Sequence, residues 1–378
     1  MTLDDLLTPL PLPCGAVLPD RLVMAPMVAQ GSDPATGHVT DDDVAYFARR
    51  SRVAGTILTG AAYVNRAGRG FVHQLSIADD SDVDGLARLA AAMTRDGARA
   101  LVQLHHGGRE AHPAHAELGR VLAPSAQAFD WLPWESQAMT DDEVRATIAD
   151  FGRATRRAID AGFDGVESHG ANHYLLQQFF SSFSNHRDDA WGGDLERRMA
   201  FPLAVVDEVR RVVAEAGRDT FVVGYRLCPD EVHGDVVGYP VEEGLQLVDR
   251  LAAAGVDYVH VSLFTGYATC PAGSARSYGQ LTLDAVAGRC PVVIVSEVFT
   301  AQDAVRALAH GDGVALGRAA LLEPEFAAKI AADEADQIET SAKGRLDELD
   351  LPPGLVEWYT TTGRDILPPL AGIDEYTP

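Results

Sequence analysis

His169, Asn172 and Tyr174 follow one another at spacings of three and two in HGANHYLLQQFF, three polar side chains among Gly, Ala, Leu and Phe. An imidazole and a carboxamide this close supply two neutral donors for one oxygen, and a tyrosine, with an ordinary pKa of about 10, supplies a weak acid. The set suits polarising a carbonyl or nitro group, stabilising the charge that develops on its oxygen and delivering a proton to a carbon nearby. A hydrolytic apparatus is not in evidence: the chain carries no HExxH and no serine or cysteine nucleophile in a recognisable turn.

Further groups point to a bound cofactor. Gln103, in QLHHGGR, and Arg226, in VGYRLCPDE, offer donors and one acceptor to a flat heterocycle with imide-like edges. Gly317 and Arg318, in GVALGRAALLEPE, open a helical stretch, where free backbone N–H groups, the helix dipole and a guanidinium together suit a phosphate monoester. A tight turn, MAPM, occupies 24–27. A phosphorylated planar cofactor lying across these groups would use all of them.

Positioning them falls to a βα repeat. Short apolar, β-rich runs at 22–25, 56–59, 100–104, 165–168, 221–227, 258–262, 292–295 and 314–316 are each followed by amphipathic helical periodicity. Thr40 with Asp43 and Thr140 with Glu143 have capping-box spacing, Ser81 and Thr300 precede helical runs, and Gly97, Gly162, Gly217 and Gly255 end them. Eight such units without a composition break predict an α/β fold, a closed (β/α)8 TIM barrel rather than an open doubly wound sheet. The polar groups then fall immediately after strands, on the C-terminal face where barrel active sites are built, with Gln103 and Arg226 reaching the mouth from neighbouring strands. Two irregular stretches, an extended aromatic loop after strand 3 at 105–139 and another at 263–279, are candidate lids. One domain is expected over 1–378: a barrel over about 21–333 and a C-terminal extension, 334–378, that packs on the barrel or on a partner subunit.

Composition narrows the function. The chain has 378 residues, 47% of them hydrophobic, enough for a large core. Its net charge of −24 repels phosphate backbones and anionic headgroups, so a small-molecule substrate is expected and neither nucleic acid nor membrane. Cys14, Cys228, Cys270 and Cys290 form no C-x-x-C pair, which argues against a disulfide framework, a zinc ribbon or an iron–sulfur cluster. The acidic N-terminus, MTLDDLLTPL, lacks a signal-peptide pattern, so a cytoplasmic location is expected. Homo-oligomerisation is left open.

The runs QLHHGGR, HGANHYLLQQF, SNHRDDAWGGDLERR, VGYRLCPDE and GVALGRAALLEPE, in this order along the chain, together resemble the Old Yellow Enzyme family of FMN-dependent oxidoreductases over 21–329. The resemblance implies a (β/α)8 barrel with non-covalent FMN, reduced by NADH or NADPH and reoxidised in ping-pong fashion by an activated alkene such as an enone, enal or nitroalkene. It places Ala25, Pro26, Met27 and Val28 at the isoalloxazine, with Gly60 or Ala61 as the small residue beside it. Gln103 and Arg226 would bond the pyrimidine edge, while Gly317, Arg318 and the segment at Ser296 would meet the phosphate. His169 and Asn172 would hold the substrate oxygen, Tyr174 would donate the proton, and no metal is implied.

Three positions depart from the family pattern. Val28 stands where Thr or Cys usually bonds the flavin O4, and it has no donor. Ser296 and Glu297 replace glycines, and the carboxylate is repelled by a phosphate unless it turns to solvent. His173 replaces a glycine, so the backbone there is expected to avoid conformations favoured by glycine alone. These departures keep a second reading open, an FMN-binding barrel with weak or no turnover. A third, a metal-dependent barrel hydrolase using His105, His106, His112, His115 and His169, lacks supporting spacing. His105 and His106 read instead as structural supports of their turn.

Overall fold

A computed structural model describes residues 1–361, 363–364 and 368–373. Eight parallel strands close a barrel in sequential order: β1 (Leu22–Met24), β2 (Thr56–Tyr63), β3 (Arg99–His105), β4 (Gly165–Gly170), β5 (Val222–Leu227), β6 (Tyr258–Val261), β7 (Val292–Val295) and β8 (Gly313–Leu316), which returns to pair with β1. Outside them run α1 (Asp41–Arg49), α2 (Val83–Thr94), α3 (Asp141–Asp160), α4 (Leu195–Glu215), α5 (Val241–Ala253), α6 (Tyr278–Val286), α7 (Ala301–Ala307) and α8 (Phe326–Ala331). All eight expected strands are present, because apolar runs buried on both faces are what a parallel barrel needs. The expected threonine caps form as well, whereas Ser81 lies inside a short 3-10 turn capped by Asp79. Thr40, Thr140 and Thr300 each complete a capping box, and the four expected glycines turn left-handed behind α2 to α5.

Strand ends differ from expectation in a way that matters for the site. The β2–β3 ladder continues through Ala61↔Gln103 to Tyr63↔His105, and β4 extends two residues past its expected end to Gly170, so His169 lies inside a strand, as Gln103 and Arg226 do, and none of the three follows its strand. Nor are Gln103 and Arg226 on neighbouring strands. β4 intervenes, with Gln103 level with Glu167 and Arg226 level with His169. Conversely β1 stops at Met24, and Ala25 leaves the strand, its N–H donating to Leu316 O at 2.9 Å.

The barrel is stoppered at one end and covered at the other. Leu10, Leu12, Ala16 and Leu18, on an N-terminal hairpin, pack against Val23, Leu58, Leu101, Val222 and Val293 inside the barrel. At the mouth, the stretch after β3 is not irregular: it folds into a helix, His112–Leu118, and a small sheet of Leu122–Ala123, Gln127–Ala128 and Glu135–Ala138. The C-terminal extension packs on the barrel. Arg50, fully buried, donates to Ala320 O and to Leu349 O, and Ala342, Leu349, Leu355, Tyr359, Leu370 and Ile373 join the core. Its helix α9 (Pro353–Thr360) comes so close to the residue-30 turn that a Cβ on Gly354 would lie 2.4 Å from Gln30 O. Residues 362, 365–367 and 374–378 of the extension lie outside the described residues. Among the described residues no helix is long and apolar enough to cross a membrane.

Candidate active site

The strand β4 ends in His169-Gly170, and the chain then turns through Ala171, Asn172 and His173 before Tyr174 caps the helix Leu175–Phe180. This turn needs φ of 56° at Asn172 and 64° at His173. The expectation that His173 would avoid the left-handed region is therefore overturned. That region costs a residue with a Cβ on the order of 1–2 kcal/mol, and local bonds hold it: His173 N–H donates to Gln177 Oε1 at 2.9 Å and Gln178 Nε2 donates to His173 O at 2.6 Å.

The turn brings the three opening residues to one cavity. Asn172 Oδ1 accepts from Ser262 Oγ at 2.9 Å and from Cys228 Sγ at 3.7 Å, which assigns the oxygen to the protein side and leaves the amide nitrogen for a ligand. His169 is buried, and its Nδ1 has no protein partner. Burial, then the nearby Arg226, His105 and His260, hold His169 well below its ordinary 6.5, so it is a neutral imidazole. The Tyr174 ring centroid lies 5.1 Å from that of His169 and 4.4 Å from that of His105, and burial pushes its phenol well above 10.

Beneath them lies a polar network. Glu167, wholly buried on β4, accepts from Gln103 Nε2 at 2.7 Å, Tyr258 Oη at 2.9 Å and His260 Nδ1 at 2.9 Å. Burial alone would raise this carboxyl, but His260, Arg226 and Gln103 more than offset it and hold it below 4.5, so Glu167 is an anion beside the Arg226 guanidinium. Arg226 Nη2 donates to Ser262 Oγ at 3.0 Å, while its Nε, also buried, has no partner. A cavity of about 190 Å³ is lined by Pro26, Met27, Val28, Ala61, Gln103, His169, Asn172, Tyr174 and Arg226. Arg226 and His169 both line this cavity, and each also keeps one buried nitrogen without a protein partner, Arg226 Nε and His169 Nδ1.

Six of the residues singled out in the sequence at the cofactor site do not line that cavity. Ala25 is buried behind it. Gly60 sits where β2 bulges against the β1 loop, a Cβ there lying 2.5 Å from Met27 O, so Ala61 alone of the pair faces the mouth. Ser296 and Glu297 keep a glycine-like backbone, with φ of 116° and 55°, and the Glu297 side chain is exposed. Gly317 and Arg318 lie at the end of β8, where the Arg318 guanidinium stacks over Phe299 at 4.8 Å and donates to Pro369 O at 3.0 Å. Sequence reasoning missed other parts of the lining: Phe71, Leu321, Leu355, Trp358 and Tyr359. It also missed Glu167 and His260, although a Glu inside the apolar run GVES and a His inside YVHV were signals of a buried network.

A closed (β/α)8 barrel with a neutral His/Asn pair and a Gln/Arg pair at its mouth is, by comparison with known proteins, a flavin oxidoreductase. The family model described as the NADH:flavin oxidoreductase / NADH oxidase family matches residues 5–337. The chain is 39% identical over 333 residues, 87% of its own length and 88% of the relative's, to the "Probable NADH-dependent flavin oxidoreductase YqiG" of Bacillus subtilis (strain 168). It is also 39% identical over 342 residues to the NADH:fumarate oxidoreductase of Klebsiella pneumoniae (strain 342), covering 88% of this chain but 36% of that longer protein. The solved structure of an Old Yellow Enzyme homologue from Zymomonas mobilis superposes with a TM-score of 0.74 at 25% identity, covering 87% of this chain and 93% of that one. The chain belongs to the NADH:flavin oxidoreductase / NADH oxidase family, that of the Old Yellow Enzymes, and is an NAD(P)H-dependent flavin oxidoreductase with FMN as its cofactor.

Proposed function

We propose that the enzyme reduces the C=C bond of an alkene conjugated to a carbonyl or nitro oxygen. Pro26, Met27, Val28, Ala61, Gln103 and Arg226 would hold the FMN ring non-covalently, with Ala25 and Gly60 shaping the turn behind it. Gly317, Arg318 and the backbone at Ser296 would take the phosphate, once Arg318 exchanges its bond to the tail for the anion. FMN supplies the capacity to accept a hydride from NADH or NADPH and pass it on. His169 and Asn172 would bind the substrate oxygen through neutral donors, so they withdraw electron density from the alkene and stabilise negative charge on the oxygen without first surrendering a proton. Tyr174, a phenol kept protonated by burial, would deliver the proton to the carbon next to the activating group.

The observation that carries this reading is the bonding of Asn172: two protein donors occupy its oxygen and leave its amide nitrogen free, in a residue that lines the same cavity as His169 and Tyr174. The fumarate for which the Klebsiella relative is named is itself a conjugated alkene, which accords with the proposal. Anaerobic mixing tests it. NADH and NADPH should each be offered to the holoenzyme until its flavin bleaches, and 2-cyclohexenone then added. Return of colour with one equivalent of cyclohexanone supports the proposal. Return of colour only with dioxygen, across a panel of enones and nitroalkenes, refutes it.

A further inference from the structure

His173 is displayed on a strained, left-handed backbone, yet the oxygen-binding pair makes no use of its ring. The ring points to Glu231 and His233, two residues apart on the strand Glu231–His233 and so on one face of it. The ligand-capable atoms of these three side chains all lie within 4.8 Å of one another. Glu231 Oε1 is 2.8 Å from His233 Nε2 and 3.9 Å from His173 Nδ1. Ligand atoms about 2.1 Å from a tetrahedral zinc ion stand about 3.4 Å apart, so the three need only small side-chain rotations to surround a metal.

Each member is held in place independently. Gln177 Nε2 donates to Glu231 Oε2 at 2.8 Å, fixing the carboxylate, whose side chain is 1% exposed. The His233 ring stacks on Phe183 with centroids 4.2 Å apart, and that of His173 stacks on Phe264 at 6.1 Å. His173 Nδ1 is buried without a hydrogen-bond partner, although it faces a carboxylate. An imidazole whose buried nitrogen is turned to a buried Glu and left unbonded is a feature that a ligand explains.

We propose that His173, Glu231 and His233 bind one divalent transition metal of the zinc class, with its remaining coordination position open to the pocket that adjoins the oxygen-binding pair. Two imidazoles and one carboxylate select Zn²⁺ or Co²⁺ over Mg²⁺ or Ca²⁺, which take oxygen ligands. That pocket, about 430 Å³, is lined by Asn172 and Tyr174 as well as by His173 and His233, so a fourth ligand would be a water or an oxygen of a bound molecule. Arg109 also faces the cluster and opposes a cation, but its Nε donates to Glu110 Oε1 at 3.2 Å, which offsets the charge. No metal was expected from the sequence, because one ligand lies on the turn after β4 and two on a hairpin after β5.

Binding is read without turnover, so the result stands apart from the alkene proposal. Holoenzyme free of any histidine tag is dialysed against EDTA, then titrated by calorimetry with Zn²⁺ alone, and separately with Co²⁺, whose tetrahedral absorption lies at longer wavelengths than that of the flavin. One equivalent per chain with micromolar or tighter Kd is expected, weakened at least ten-fold in H233A and in H173G, and unchanged in H186A, which alters an exposed histidine elsewhere. H173G relieves the left-handed strain, so its folding is not in question. Absence of a stoichiometric site, or equal affinity in H173G and the parent, overturns the proposal.

Discussion

At the scale of single residues, the mouth separates the task of holding an oxygen from that of giving a proton. His169 is kept neutral and Tyr174 is kept protonated by the same burial, in opposite directions from their ordinary values. Neither changes charge between about pH 6.5 and 9.5, so the alkene half-reaction should be level across that window. Tyr174→Phe removes the acid and leaves the ring. Alkene reduction should slow by roughly 10²- to 10⁴-fold while bleaching of the flavin by NADH is unchanged, as single-turnover mixing of each half would show. Equal slowing of both halves would mean that the tyrosine acts on binding instead. Val28 is a second residue whose type matters, since it lines the mouth without a donor. Val28→Thr adds a hydroxyl, and one charge-assisted hydrogen bond, worth about 1.5–3 kcal/mol, would raise a two-electron potential by about 30–60 mV. Redox titration against a reference dye checks it, and an unchanged or lower potential would count against the placement of Val28 beside the ring.

At the scale of elements, the central device is the carboxylate of β4 shared by β3 and β6. Glu167 accepts from Gln103, Tyr258 and His260 at once and sits opposite the Arg226 charge, so it locks the two flavin-edge candidates of β3 and β5 into one frame. Glu167→Gln replaces an acceptor with an amide whose NH₂ must face one of three donors. It should cost about 3–5 kcal/mol, as breaking a buried pair does, and appear as a lower urea midpoint together with weaker FMN retention. A variant with parental stability and flavin content would show the network to be incidental. These strands were legible because apolar β-branched runs, capping threonines and terminal glycines are local signals that read the same wherever the chain goes. Glu167 was not legible as a hub, since its partners come from strands far away in sequence. The left-handed turn at Asn172 and His173 was misread for a related reason: its cost is offset by Gln177 and Gln178 in the next helix, which residue type alone does not reveal. Likewise, nothing local in PGLVEWYT indicates that Leu355, Trp358 and Tyr359 would wall the mouth, because docking depends on the surface the barrel presents.

At the scale of the whole molecule, a barrel that buries its polar network becomes sensitive to acid. Burial holds His105 and His106 down to about 3 and also lowers His169 and His260, so each of the four takes up a proton less readily in the folded chain than near 6.5 in the unfolded one. For these groups the unfolded state binds more protons as pH falls below 6.5, so stability declines with acidification. Asp20 and Asp43 work the other way: burial raises both to about 6, so between that value and 3.8 the folded state holds the extra protons and stability rises as pH falls. The lowered histidines, which include His173 and His310, outnumber the raised carboxyls Asp20, Asp43 and Asp257, so the balance favours the unfolded chain as pH falls toward 5. The net charge of −24 does not reverse this. Exposed carboxylates titrate near 4, so self-repulsion hardly changes between pH 7 and 5. The melting temperature of the holoenzyme should therefore fall on going from pH 7 to pH 5, and fall more steeply in Asp43→Asn, which removes one of the opposing groups. A midpoint that holds steady or climbs over that interval would mean that the buried histidines are solvated or paired in a way this barrel does not show.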